Sequence, residues 1–298
     1  MTETMTTVHR GFLLTLDPLH VGSGGYRLGR VDLPIIREPG TNLPKIPGTS
    51  LSGAARAYAA MLKDGSPNGK IKCAGQREHC GDCDVCLTFG FSKSARWREK
   101  AYSGMANIFD ARLVLFPVAS MAGPVWVTTR SALAQAGFEG IPAKEPDGAW
   151  ITREWPAGHL NLGWLLIPVR EAAPPRLPSG FKAGEWDAIQ DRIVITGEDL
   201  FSQVVNSNLE IRTSVSINPD TGAAQEHALF TYEAIPRATW LHLEMVVHQY
   251  REFTGKKWKT PAEVVWGGLE MAETLGLGGM GTRGFGRVRV LRCEGGAA

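Results

Sequence analysis

The chain has 298 residues, of which 43% are apolar and 21% charged, and its formal net charge is +2. That length accommodates one large domain or two small ones around a sizeable core, and the near-neutral balance excludes a global polycation, so any basic surface is local. No apolar run is long enough for a membrane span, and the start, MTETMTTVHRGF, lacks the apolar centre of a secretory leader, so a cytoplasmic protein with no membrane partner is expected.

Residues 9–17, HRGFLLTLD, alternate and then run apolar, which predicts a strand. A polar stretch rich in glycine and proline follows, from Leu19 to Pro47, with Val31–Arg37 as a short extended piece. It carries only two carboxylates, Asp32 and Glu38. It ends in Pro47-Gly48-Thr49-Ser50, where Leu51, Ala54, Ala55, Tyr58, Ala59 and Leu62 take up helical spacing. Thr49 or Ser50 is the expected N-cap. Helix N-termini offer unpaired N–H groups and a positive dipole end, so this junction suits a phosphate. Breakers at Asp64–Gly69 end the helix.

Four of the five cysteines fall within fourteen residues, as Cys73-x6-Cys80-x2-Cys83-x2-Cys86, with His79 beside the second. In a chain read as cytosolic, this clustering points to metal rather than disulfides. Thiolates two residues apart can present two sulfurs to one tetrahedral zinc, and four such ligands close a structural site. His79 can stand in for one cysteine. Cys293 is read as an ordinary thiol.

Further strands are predicted at 107–118 and 124–129, with a helix beginning at Arg130. Residues 138–188 read as an irregular insertion with one or two strands near Leu162–Val169. A strand at RIVIT, a helix over Gly197–Val205, and strands over Leu209–Ile217, Ala228–Tyr232 and Thr239–Tyr250 follow. A helix over 261–275 opens with Pro261, and a last strand covers Val288–Leu291. Between them lies a loop with glycines at 276, 278, 279, 281, 284 and 286 and arginines at 283 and 287. Glycine exposes backbone N–H groups to a ligand and arginine suits phosphate oxygens, so Gly279, Arg283 and Arg287 are candidate phosphate contacts. Gly276–Gly281 spells Gly-x-Gly-x-x-Gly, but it follows a helix and precedes a strand, the wrong context for a dinucleotide site. The order of elements suits an α+β fold with a ferredoxin-like, RNA-recognition-like core and large insertions.

Four stretches resemble the RAMP superfamily of CRISPR effector proteins: Pro18–Gly24, Val31–Glu38, Ile46–Gly53 and the glycine-rich loop through Gly286. The segments Phe109–Val118, Trp126–Thr128, Asp220–Gly222, Ala228–Phe230 and Ile235–Pro236 are most similar to the repeated backbone subunit of the type III-B (Cmr) effector. The type III-A (Csm) backbone subunit, which also carries a cysteine cluster before a Phe-Gly pair (here Phe89-Gly90), is the runner-up.

The resemblance implies one RAMP domain over 1–298, a modified ferredoxin-like core with a zinc-binding insertion at about 64–105 and a second insertion, a possible thumb-like hairpin, at about 138–188. It implies copies stacked along a crRNA guide, alongside other effector subunits. It implies a target RNA cut at regular steps by Asp32 with magnesium or another divalent cation. His20 matches a position that affects cutting; Ser50, Ser52 and Arg56 match positions near the guide backbone. Relatives often carry Lys where Ser52 stands, and Lys45 or Arg56 is expected to cover that contact. Adjacent acidic and aromatic residues of relatives reduce here to Tyr232 and Glu233, so an auxiliary catalytic role there is not expected.

A single carboxylate suffices for such cutting if the RNA's own 2′-hydroxyl attacks in line. The competing reading of Asp32 is a loop carboxylate paired with Arg30 or Arg37, in a catalytically inert guide-binding subunit. A stand-alone guide-processing nuclease needs a histidine-centred site, and only His20 is well placed.

Overall fold

The computed structural model describes residues 5–24, 31–64, 81, 83–91, 101–145, 147–224 and 229–292. Cys73, His79, Cys80, Arg30, Ala228 and the breaker cluster at 65–69 lie outside them.

Strand β1 (Met5–Thr15) carries the apolar run, and its two faces enter two cores. Leu13 joins the larger cluster, while Phe12 and Leu14 join Phe138, Trp186 and Trp240 on the other side. A strand covered on both faces reads as continuous apolar sequence rather than as alternation. Then come β2 (Lys45–Ile46), α1 (Gly48–Asp64), α2 (Asp84–Phe89), β3 (Ala106–Ile108), β4 (Ala111–Ser120), β5 (Gly123–Thr129) and α3 (Arg130–Gln135). Next are β6 (Ala149–Ile151), β7 (His159–Leu162), β8 (Leu165–Glu171), α4 (Gly184–Asp187), β9 (Ile193–Thr196), α5 (Glu198–Ser207), β10 (Glu210–Ser214) and β11 (Phe230–Ala234). β12 (Trp240–Gln249), α6 (Pro261–Glu270), α7 (Ala272–Leu275) and β13 (Val288–Arg292) complete the chain.

The main sheet runs β13-β1-β12-β4-β5-β9-β6-β8-β7. Its first four strands are antiparallel throughout. With α1 between β1 and β4, and α6 between β12 and β13, they form a β-α-β-β-α-β unit of ferredoxin type. The helices α1 and α6 pack on each other. Thr260 caps α6 by accepting from the Glu263 amide, and Glu263 reaches back to the Lys259 amide, a reciprocal cap.

Three expectations change. Helix α1 starts at Gly48, so Thr49 and Ser50 lie in its first turn and neither is the N-cap. Pro47 precedes the helix, its carbonyl accepting from the amides of Ser50 and Leu51, and the Gly48 amide donates to Asp110 Oδ1 at 2.8 Å. A carboxylate from a distant segment thus does what a local hydroxyl was expected to do. Residues 138–188 are more regular than expected: the strands expected near Leu162–Val169 are β7 and β8, and β6, pairing antiparallel to β9 and parallel to β8, joins them to the sheet. The helix over 261–275 is two pieces, α6 and α7, parted at Met271.

Outside the main sheet, β10 and β11 pair as a separate antiparallel hairpin, with Thr213 opposite Thr231 and Arg212 opposite Tyr232.

Candidate nucleic-acid interface

The outer edge of β11 seats the long polar stretch that precedes α1. At one end Leu19 and Ile235 exchange amide hydrogen bonds of 2.8 and 2.9 Å. At the other, the Leu33 amide donates to the Thr231 carbonyl and the Glu233 amide to the Leu33 carbonyl. Val31–Arg37 is therefore extended but makes only isolated bridges, not a strand of its own.

These contacts bring His20 and Asp32 to the same strand. His20 is buried, and its Nδ1 lies 2.6 Å from the Glu233 carbonyl oxygen. A carbonyl only accepts, so Nδ1 carries a proton and Nε2 is the ring nitrogen left for another contact. Tyr232 meets the His20 ring edge-on at 6.2 Å between centroids. Asp32 is exposed and sits over Thr231, whose amide and hydroxyl donate to Oδ2 at 2.7 and 2.9 Å. Those bonds, the amide first and then the hydroxyl, hold its carboxyl below the usual carboxylate range. Thr231 and Glu233 are two residues apart, so the two seats are about 7 Å apart along the strand.

Arg37, one of the two arginines considered for Asp32, goes elsewhere. Its Nη2 donates to Glu233 Oε2 at 2.9 Å, its Nε to Asn206 Oδ1, and its Nη1 to the Ile35 carbonyl. The largely buried Glu233 carboxylate is thus engaged by Arg37, beneath the site rather than in it.

The glycine-rich loop closes on the same stretch. The Gly279 amide donates to the His20 carbonyl at 2.8 Å and the Gly286 amide to the Pro18 carbonyl at 2.9 Å. Gly278 has φ +75°, and a Cβ there would run into the His20 carbonyl. Aromatic and cationic side chains interlock the loop with the hairpin. Arg283 stacks on Phe230 at 5.1 Å, Arg212 on Phe285 at 4.6 Å, and Tyr232 meets Phe285 edge-on.

The remaining phosphate candidates divide. Ser50 is exposed and Ser52 half-buried on α1. Arg56 is half-buried there, and its buried Nε has no hydrogen-bond partner among the described residues. Lys45 is held by Asp110 at 2.6 Å and Glu38 at 3.3 Å. Arg287 pairs with Asp17 at 2.6 and 3.1 Å. Arg283 has no carboxylate partner among the described residues. Cys83 precedes α2 and Cys86 is buried in its first turn; the other two cysteines of the cluster lie outside the described residues. Sequence reasoning passed over Thr231 and Asp110, whose partners are far away in the chain. A Thr one residue before the Tyr232-Glu233 pair carried no local signal.

A sequence profile described as the RAMP superfamily matches residues 12–289. The chain is 29% identical over 254 residues to the CRISPR system Cmr endoribonuclease Cmr4 of Pyrococcus furiosus, covering 79% of this chain and 80% of that one. It is 25% identical over 280 residues to the Cms endoribonuclease Csm3 of Methanothermobacter thermautotrophicus, covering 93% and 80%. Among solved structures, a type III-B Cmr-beta complex in its apo state matches with TM-score 0.68 at 17% identity, over 97% of this chain and 98% of that one. Oligomeric Cmr4 from Pyrococcus furiosus matches with TM-score 0.62 at 21% identity, over 96% and 99%. At such identities the structural matches speak for the fold alone. The profile runs from within β1 to the start of β13, takes in the His20–Asp32 stretch and the glycine-rich loop, and the chain belongs to the RAMP superfamily.

Proposed function

We propose that this protein is the repeated backbone subunit of a type III-B RNA-guided effector, binding the guide backbone and cutting the paired target RNA. Asp32 is the residue that acts on the target. The observation that carries this reading is an exposed carboxylate, held ionised, with Oδ2 engaged by Thr231 and Oδ1 without a hydrogen bond among the described residues. The relatives named endoribonucleases support the reaction class. A single carboxylate plus RNA phosphates is an ordinary setting for magnesium, and no cluster of three or more His, Cys, Asp or Glu stands among the described residues to offer a cage. A divalent cation there would be held by Asp32 and the RNA, and would neutralise charge on the phosphate under attack.

Guide binding falls to the first half of α1, where Ser50 is exposed and Ser52 and Arg56 are half-buried, and to the glycine-rich loop (Gly279 and Arg283). Arg287 can join by leaving Asp17, since an exposed ion pair is readily exchanged for another partner. Lys45 is committed to two carboxylates and contributes less. Residues 138–188 are built into the sheet. The hairpin β10–β11 is therefore the element suited to project against RNA, with Ile217 and Leu229 exposed beyond its strands.

In a complex reconstituted with guide and other subunits, Asp32→Ala is expected to abolish periodic cutting while leaving guide and target binding intact. Periodic cutting that persists would assign Asp32 to a merely structural role and the protein to the inert, guide-holding class. We also propose that Cys73, Cys80, Cys83 and Cys86 hold one structural zinc. The pair Cys83 and Cys86 on one turn at the start of α2 supports two of its four tetrahedral positions.

A further inference from the structure

Asp32 and Thr231 form a closed ring of hydrogen bonds. The Thr231 amide and hydroxyl both donate to Oδ2, at 2.7 and 2.9 Å, and the Asp32 amide donates back to the same hydroxyl oxygen at 3.1 Å. The hydroxyl is thus donor and acceptor at once. Its one proton goes to the carboxylate, and one lone pair takes the backbone of the residue that carries that carboxylate. A side chain tied at its tip and at its own amide to one partner keeps neither freedom about its Cα–Cβ bond nor freedom to flip its oxygens. Among natural side chains, serine and threonine supply this double bond from a Cβ hydroxyl; valine has the shape of threonine without either function.

The partner itself is fixed. Thr231 is locked in β11 opposite Thr213, and its carbonyl accepts from the Leu33 amide. No charged side chain contributes to holding Asp32 ionised. Glu233 and Arg37, the nearest ion pair along β11, satisfy each other.

We infer that Thr231 is the positioning residue of the cleavage site, fixing the orientation of Asp32 and leaving Oδ1 as the oxygen presented to the reacting phosphate or its cation. The inference rests on the reading of Asp32 as the cutting residue. Its physical basis is pre-organisation: a reacting group already held in its working geometry loses no orientational freedom at the moment of reaction.

The test compares Thr231→Val, Thr231→Ser and Asp32→Ala in the assembled complex. The readouts are the single-turnover cleavage rate at saturating target, the target Kd, and the unfolding midpoint of the isolated protein. Thr231→Val is expected to slow cleavage about 10- to 100-fold, the loss of one hydrogen bond to a charged group, with Kd unchanged. Thr231→Ser is expected to restore most of the rate, which a packing role for the methyl would not allow. Thr231→Ala keeps the backbone donor and serves if the valine variant fails to assemble; it is expected to be slow in the same way. A Thr231→Val or Thr231→Ala complex that cuts at the normal rate while Asp32→Ala is inactive overturns the inference and spares the reading of Asp32. A serine variant as slow as valine, or a valine variant that loses target affinity as well, also overturns it. An Asp32→Ala complex that still cuts overturns both.

Discussion

The Lys45–Asp110–Gly48 contact shows how a single side chain redirects a functional expectation. Asp110 is partly desolvated, which raises its pKa, but the Lys45 ammonium and the Gly48 amide outweigh that and hold it below the ordinary carboxylate value. It fills one of the N–H positions at the start of α1, and because the Ser50 and Leu51 amides donate to the Pro47 carbonyl, a phosphate arriving there meets the Thr49 amide rather than the Gly48 one. The linkage has a definite sign. A carboxylate with a lowered folded pKa stabilises the fold above its unfolded value of about 4, and that contribution fades as pH falls through the folded value. Asp110→Asn should therefore be less stable than the unaltered protein at neutral pH, and the gap should close below about pH 4. Urea unfolding at several pH values measures this; a gap independent of pH would mean that packing, not charge, decides it.

Two glycines with opposite requirements separate the elements that shape the interface. Gly278 sits at positive φ with the His20 carbonyl where a side chain would go. Gly278→Ala should push the loop off His20 and cost about 1–3 kcal/mol, with weaker guide binding. Gly53 lies inside α1, and a methyl group added there would meet nothing within 4 Å. Gly53→Ala should stabilise the isolated protein by about 0.5–1 kcal/mol. Thermal melts of the two variants should move in opposite directions. These elements were legible from sequence because their signals are local: a helical repeat from Leu51 to Leu62, a period of two in WLHLEMVVHQY, and glycines crowded between α7 and β13. What was not legible depends on partners remote in sequence. Asp32 and Thr231 are 199 residues apart, Arg287 and Asp17 are 270 apart, and no window contains both members. Within 138–188 the strands expected near Leu162–Val169 are β7 and β8, while the three-residue β6 is too short to show a period and is fixed by its pairing with β8 and β9.

At the scale of the whole molecule, the cysteine-bearing segment is built into the frame that carries the interface. Cys86 and Val85 pack with Ala59 and Ala60 of α1 and Val264 of α6. The buried Asp84 carboxylate accepts from the amides of Lys256 and Lys257, just ahead of α6, and the Lys257 ammonium reaches the Leu62 carbonyl near the end of α1. The described cysteines of the cluster, Cys83 and Cys86, therefore lie against the two helices whose ends lead to the segments proposed to hold the guide. Metal analysis should find about one zinc per chain, and chelation should lower the unfolding midpoint and guide affinity together. A metal-free protein of full stability would remove the site.

The five residue pairs of the β10–β11 hairpin have one more consequence. They fix β11 against β10, and the bonds of Leu33 to Thr231 and Glu233 then fix which amide lies beneath Asp32, whatever the length of the tip that joins the strands. Residues added between Ser214 and Phe230 leave Thr231 where it is. One residue added between Phe230 and Ala234 puts a different side chain under the carboxylate and turns the rest of the strand over. The tip can change length without disturbing that register, while the strand behind it is as intolerant of insertion as a reading frame.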